Sequence, residues 1–206
     1  AVGGHGGGRA ATSMAAKLGI ESKMVEGRRI TDAEMLSVVT MVYGGLVNKN
    51  TVAALQARDC NAAGFTGADF NLVKANKRPV QDIDYGFVGD ISDVQTGAFA
   101  NLLQLGITPV VAPLTHDGTG QLLNTNADTM ASAIAIAMSS RYEVSLIFCF
   151  EKPGVLLNAD DDTSVIPQLS SDTYQSYKEQ KIIHSGMIPK IDNSFEALDK
   201  GVKQVI

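Results

Sequence analysis

The chain has 206 residues, with 45% apolar and 19% charged side chains and a formal net charge of −5. That length supports one large domain or two small ones around a real core, and the composition is that of a globular chain, not a disordered one. The acidic balance excludes general electrostatic attraction to nucleic acid, the longest apolar stretch, Val144 to Phe150, is far too short to cross a bilayer, and no basic segment leads into an apolar one as in an export signal, so a cytoplasmic protein is expected.

The chain opens on Gly3-Gly4-His5-Gly6-Gly7-Gly8-Arg9, five glycines in seven residues, followed by a helical pattern from Ala10 to Leu18 that stops at Gly19. Thr31-Asp32-Ala33-Glu34 reads as a capping box, and Met35, Val38, Val39, Val42 and Leu46 continue at helical spacing. Asn61–Phe65 and Tyr85–Val88 read as strands with a polar excursion, Lys74 to Val80, between them. Ser92 to Leu105 reads as an amphipathic helix stopped by Gly106, and Ile107 to Leu114 as a buried strand interrupted by Pro109 and Pro113. Thr115 to Gly120 is then a hairpin tip returning through Gln121-Leu122-Leu123. Asn124-Thr125-Asn126-Ala127-Asp128 opens a helix to about Met138, Val144–Phe150 is a strand, Asp160-Asp161-Asp162 is a solvated turn, Ser171–Gln180 and Met187–Gly201 are helices, and a strand starts at Lys203. Alternating helices and strands predict an α/β fold, with Ser139-Ser140-Arg141 as the best hinge. Cys60 and Cys149 lack metal-ligand spacing and a basic neighbour, and both read as small core residues.

The glycine run leaves almost no side chain between the backbone amides and a ligand, and the helix that follows adds its unpaired N–H groups and positive dipole end. Phosphate is the natural guest. A tight turn alone would explain one or two glycines more easily than five. The run is not a Walker A loop, because Arg9 and Ala10 stand where Lys and Ser/Thr are required. Gly6 to Ala11 does satisfy a relaxed dinucleotide fingerprint, with Glu26 near the place of a ribose-binding acid, and this keeps a Rossmann-type oxidoreductase as an alternative. Arg28-Arg29 offers a planar fork for a carboxylate, or simply surface charge. In the Asn124–Asp128 segment, Asn126 suits an N-cap and Asp128 the first turn, whereas Asn124 lies outside the helix and can point its amide at a ligand. All these groups lie at element ends, where α/β sheets bind ligands.

Six segments in order, His5-Gly6-Gly7-Gly8, Gly27-Arg28-Arg29-Ile30-Thr31, Gly45-Leu46-Val47-Asn48-Lys49, Gly86-Phe87-Val88-Gly89, Asn124-Thr125-Asn126-Ala127-Asp128 and Ser185-Gly186-Met187-Ile188-Pro189-Lys190, resemble the acetylglutamate kinase branch of the amino-acid kinase family, in the version found in Bacteroidetes-like bacteria. The resemblance spans nearly the whole chain. It implies a three-layer αβα sandwich with a largely parallel central sheet, residues 1–140 forming an acylglutamate-binding and dimerisation lobe and residues 141–206 a nucleotide-binding lobe. It implies ATP-dependent phosphorylation of the γ-carboxylate of N-acetyl-L-glutamate or N-succinyl-L-glutamate, with Mg²⁺ bridging the nucleotide phosphates and no metal held by the protein. Gly7 and Gly8 would meet the substrate and the transferring phosphoryl group, Arg29 and Asn124 would hold the acylglutamate, Asp128 would orient lysines at the reaction centre, and Lys190, with Glu151 and Gly154, would serve the nucleotide. The extra carboxylate of a succinyl group would want its own cation, for which Lys23 and Arg28 are candidates. The resemblance also implies a homodimer joined through the helix running from Thr31 past Lys49, where Val42, Tyr43 and Val47 suit either a core or a dimer face.

The chain departs from the family pattern in three places. Ala1 stands where the family's first strand carries a phosphate-facing lysine, with Gly3-Gly4 as that strand's tail and an intervening helix expected but not present; the family continues past Ile206; and Glu151 replaces a common Asp. A ligand-binding or regulatory homologue that has lost catalysis is therefore the second alternative.

Overall fold

The structure, a computed structural model, describes residues 1–25, 28–183 and 187–206; Glu26, Gly27, Ser185 and Gly186, named above, lie outside the described residues. The chain divides into two compact units, Ala1–Ala137 and Met138–Ile206.

In the first unit, strand β1 (Gly3–Gly4) runs straight through the glycine loop into helix α1 (Gly8–Lys17). Ala11 and Ala15 of α1 are fully buried, and the helix closes in a Schellman arrangement: Gly19 takes φ +73, Ile20 N–H donates to the Ala15 carbonyl and Gly19 N–H to the Ala16 carbonyl. A short antiparallel pair follows, β2 (Met24–Val25) and β3 (Arg28–Arg29). The long helical segment then runs as α2 (Ala33–Val39), a π-helical stretch (Thr40–Val47) and α3 (Asn48–Gln56). Its cap is Asp32, whose carboxylate accepts from Met35 N–H at 2.8 Å. The capping box expected at Thr31 is therefore displaced by one residue, because the Thr31 backbone is bridged to Gly86 and its hydroxyl is taken by Asn124.

Strands β4 (Ala62–Phe65) and β7 (Thr108–Val111) pair in parallel, and β1 lies parallel on the other side of β7, giving the order β1-β7-β4. A second sheet has the order β6-β5-β8-β9, with β5 (Val73–Lys77), β6 (Gly89–Val94), β8 (Leu114–His116) and β9 (Leu122–Asn124). The expected strand Ile107–Leu114 is thus two strands: Ala112-Pro113 ends one and carries the chain into the other sheet. The polar excursion at Lys74 is a strand too, because Val73 and Ala75 face the core while Asn76 and Lys77 face water. The strand expected at Tyr85–Val88 lies further on, at β6, so that helix α4 (Thr96–Gln104) starts four residues later than its pattern suggested. Hairpin β8–β9 forms as expected, its tip held by the Asp117 carboxylate, which accepts from Thr119 and Gln121 N–H. Helix α5 (Ala127–Ser139) follows.

One core cluster joins Ala11 and Ala15 to Met35, Val38, Val39, Val42 and Tyr43 of the long helix and to Ala112 and Leu114. Fully burying each of the larger apolar side chains contributes about 1.5–3 kcal/mol. Val42 and Tyr43 therefore face this core, and the outward residues of the same stretch are Met41 and Leu46.

In the second unit, β10 (Ser145–Leu146) pairs in parallel with β11 (Gln204–Val205), and Phe148 N–H to the Ile206 carbonyl continues the pairing. Helices α6 (Ser171–Glu179) and α7 (Met187–Asp199) pack through Tyr174, Ile183 and Ile191, with the Tyr174 and Phe195 rings stacked at 5.5 Å. The acidic run is a turn in which the Asp161 carboxylate accepts from Thr163 N–H and Asp162 pairs with Lys152. Both cysteines are free; Cys60 is half-buried, and Cys149, expected in the core, is exposed.

Candidate active site

The site in the first unit is assembled around the turn from β1 into α1. Gly7 is the N-cap of α1 and no side chain caps the helix, so its first turn opens on backbone amides that the helix itself cannot pair. The loop lies flat on the long helix. A Cβ on Gly7 would come within 2.8 Å of Tyr43 Cδ1 and 3.4 Å of Val47 Cγ2. Tyr43, whose ring meets the loop, lies in the π-helical stretch, a departure from α-helix of the kind that recurs at functional sites.

Arg29 reaches the same turn from β3. Its guanidinium is buried, with Nη2 donating to the Gly8 carbonyl at 2.9 Å and to Thr12 Oγ1 at 3.0 Å, and Nη1 donating to Ser22 Oγ. Three partners, two on α1 and one in the segment before β2, fix the direction of the fork. Arg28 beside it is exposed, and Lys23 pairs with Glu21 at 3.6 Å.

Asn124 ends β9 in a ladder of short bridges. Thr31 bridges Gly86 and Val88 bridges Asn124, both in parallel, and Asn124 Nδ2 donates to Thr31 Oγ1 at 3.0 Å. Gly86 is required here: it takes φ +72, and a Cβ would lie 2.3 Å from the Thr31 carbonyl. Two residues on, Asn126 accepts from Thr129 N–H at 2.9 Å as the cap of α5 and sets half-buried Asp128 in its first turn. The start of α5 also borders the glycine loop, since a Cβ on Gly6 would be 4.0 Å from Ala127 Cβ.

A further set of contacts was not foreseen from sequence. Asn48, buried at the head of α3, donates from Nδ2 to the Val110 carbonyl at 2.9 Å and faces His5 Nε2 at 3.1 Å, while Lys49 Nζ donates to Asn48 Oδ1 and to the Gly64 carbonyl, each at 3.2 Å. A Cβ on Gly64 would overlap Asn48 Oδ1 at 1.8 Å, so the glycine makes room for the amide. The other ring nitrogen of His5, Nδ1, lies 2.7 Å from the Gly6 carbonyl. Burial lowers the His5 pKa from its ordinary 6.5, and the Gly6 contact acts in the opposite direction.

Gly7, Gly8, Arg29, Asn124 and Asp128 all belong to the first unit, and Lys190, Glu151 and Gly154 to the second. Lys190 is half-buried near the start of α7, its Nζ 5.3 Å from the centre of the Phe148 ring. Glu151 is exposed in the loop after β10, and Gly154 packs so that a Cβ would lie 3.0 Å from Val165 Cγ1. Among the described residues no cluster of His, Cys, Asp or Glu could hold a metal ion, and no helix is long and apolar enough to cross a membrane.

The sequence profile of the amino acid kinase family matches residues 2–206. The acetylglutamate kinase of Parabacteroides distasonis is 62% identical over 98% of this chain and 79% of its own length, and that of Phocaeicola vulgatus is 61% identical over the same shares. The crystal structure of smu.665 from Streptococcus mutans superposes with a TM-score of 0.87 at 27% identity, covering 100% of this chain and 80% of that one.

Proposed function

This chain belongs to the amino acid kinase family, and we propose that it is an acetylglutamate kinase, transferring the γ-phosphoryl group of ATP to the γ-carboxylate of N-acetyl-L-glutamate in the second step of arginine biosynthesis. The observation that carries this reading is the 62% identity to a relative of that name over 98% of the chain. Neither the oxidoreductase nor the purely regulatory alternative has comparable support.

In the reaction a γ-carboxylate oxygen bonds to phosphorus, the bond to the β,γ-bridging oxygen breaks, and ADP leaves with that electron pair. No enzyme-bound intermediate is needed, so catalysis reduces to alignment and charge stabilisation. The uncapped first turn of α1 supports assigning the transferring phosphoryl group to the Gly7 and Gly8 amides. A guanidinium already held by Gly8, Thr12 and Ser22 supports Arg29 as the carboxylate fork, because its rotamers are ordered before substrate arrives. Asn124 binds the acylglutamate beside it, and Asp128 orients the lysine side of the reaction centre. Lys190 neutralises charge as the phosphoryl group departs, while Glu151 and Gly154 serve the nucleotide. Residues 1–140 thus form the acylglutamate lobe and residues 141–206 the nucleotide lobe. Mg²⁺ arrives on the nucleotide phosphates as part of the substrate. The enzyme acts in the cytoplasm as a homodimer, for which exposed Met41 and Leu46 on the long helix offer apolar surface.

A coupled assay of ADP formation tests the assignment. Release that requires N-acetyl-L-glutamate supports it, and release independent of any acylglutamate overturns it. Competition between acetylglutamate and succinylglutamate, read as the ratio of kcat/KM values, assigns the acyl group.

A further inference from the structure

His5 sits inside the glycine loop, and its two ring nitrogens have opposite tasks. Nδ1 faces the Gly6 carbonyl, which can only accept, so Nδ1 must carry the proton. Nε2 faces Asn48 Nδ2, and that group is identified as the amide nitrogen because it also meets the Val110 carbonyl at 2.9 Å. Asn48 Oδ1, at the other end of the amide, accepts from Lys49. Nε2 must therefore accept, and the whole chain of bonds from Lys49 through Asn48 to Gly6 closes only with a neutral imidazole.

We propose that His5 is a positioning residue for the phosphoryl loop: as the neutral Nδ1–H tautomer it ties the Gly6 carbonyl to the Asn48 amide, and through Asn48 to strand β7, and so sets the direction of the Gly7 and Gly8 amides. This rests on the kinase reading of the loop given above. A second proton on the ring turns Nε2 from acceptor to donor and sets N–H against N–H, which releases the loop from the long helix. The charged groups nearest the loop on the elements packed around it are Arg9 on α1, Arg29 on β3, Lys49 on α3 and Asp128 on α5; the first three oppose a cation at His5 and the fourth favours it. Burial of the ring adds to the opposition. The loop consequently stays in its bound form at neutral pH and is released in acid.

The pH dependence of kcat/KM for acetylglutamate provides the test, measured on the wild-type chain and on His5→Gln and His5→Asn. Glutamine can present an acceptor near the place of Nε2 and asparagine a donor near that of Nδ1, and neither titrates. Wild type should lose kcat/KM on the acid side with an ionisation below the ordinary histidine value. Both variants should lack that limb and fall about tenfold at neutral pH, the effect of one lost positioning hydrogen bond. Variants that keep the acid limb overturn the inference while leaving the kinase assignment intact, whereas wild type without acylglutamate-dependent ADP formation overturns the kinase assignment itself. The tautomer is measured independently by ¹⁵N NMR of the His5 ring. A proton on Nδ1 at neutral pH supports the proposal, and an Nε2–H tautomer, or titration at or above the ordinary value, overturns it whatever the activity and however well the variants fold.

Discussion

The two units bury their polar groups differently. Among the described residues every buried Arg, Asn, Ser and Thr side chain, Arg29, Thr31, Asn48 and Asn124 among them, lies in the first unit. The second unit buries apolar side chains, and the ion pairs Lys152–Asp162, Lys178–Asp192, Lys200–Glu196 and Lys203–Glu143 in it are exposed to water. A buried polar group is costly unless it is bonded, and Arg29, Thr31, Asn48 and Asn124 are each held in one direction by their hydrogen bonds, as recognition of a small dicarboxylate demands. Exposed pairs contribute little and are screened by salt. On the proposed assignment, binding and folding share the same bonds in the first unit and are separable in the second.

The largest expected effects test that separation. Lys190→Met should lower kcat by about a hundredfold to a thousandfold, the range for removing one preorganised charge-stabilising donor, with the KM for acetylglutamate and the melting temperature little changed. Arg29→Lys should lower kcat/KM for acetylglutamate by roughly a hundredfold, because hydrogen bonds to charged groups are worth about 1.5–3 kcal/mol each and an ammonium cannot reproduce the fork. Thr12, Ser22 and the Gly8 carbonyl lose their shared donor in that variant, so its melting temperature should fall as well. Steady-state kinetics and a thermal melt on each variant suffice. An Arg29→Lys protein that loses activity at unchanged stability breaks the comparison.

Gly7→Ala sharpens it at the backbone. The new Cβ would press on the Tyr43 ring, so urea unfolding should show a loss of about 1–3 kcal/mol, the usual effect of overpacking. Combining it with Tyr43→Leu should restore part of that loss, and the double-mutant cycle measures how tightly the loop and the π-helical stretch are coupled. Purely additive losses would mean that the ring does not support the loop.

Sequence reasoning found the residues whose chemistry is local and missed those whose role is made by distant partners. The glycine run, the Asn126 cap and the hairpin tip at Asp117 each act within a few residues, and all three were readable. Asn48 was not, because its partners His5, Val110 and Gly64 are brought to it only by the β1-β7-β4 order. Strand β5 was hidden by its edge charges and by the bulge between Lys74 and Ala75, which breaks the two-residue period. The capping box misled by one residue because Thr31 has a tertiary partner, Asn124, that no local pattern reveals.

The smallest effect concerns the place where the second unit resembles the first. Tyr174 is almost fully buried, and its hydroxyl donates to Asp192 Oδ1 at 2.7 Å, a buried ring anchoring a polar contact between α6 and α7. Burial, with the Asp192 carboxylate beside it, raises its pKa well above the ordinary 10.0. The native phenol therefore holds its proton where the unfolded chain has lost it, so its contribution to stability is full below about pH 10 and declines as pH rises beyond. Tyr174→Phe should cost about 1 kcal/mol at neutral pH, for the lost hydrogen bond, while Asp192 keeps Lys178 beside it. Above about pH 10 the wild type alone pays to keep the proton, and the gap between the two proteins should narrow. Urea unfolding of both proteins on either side of that pH measures it. A gap that does not change with pH would mean that the phenol is not held neutral by its surroundings, and that the second unit has no buried polar anchor of the kind on which the first unit depends.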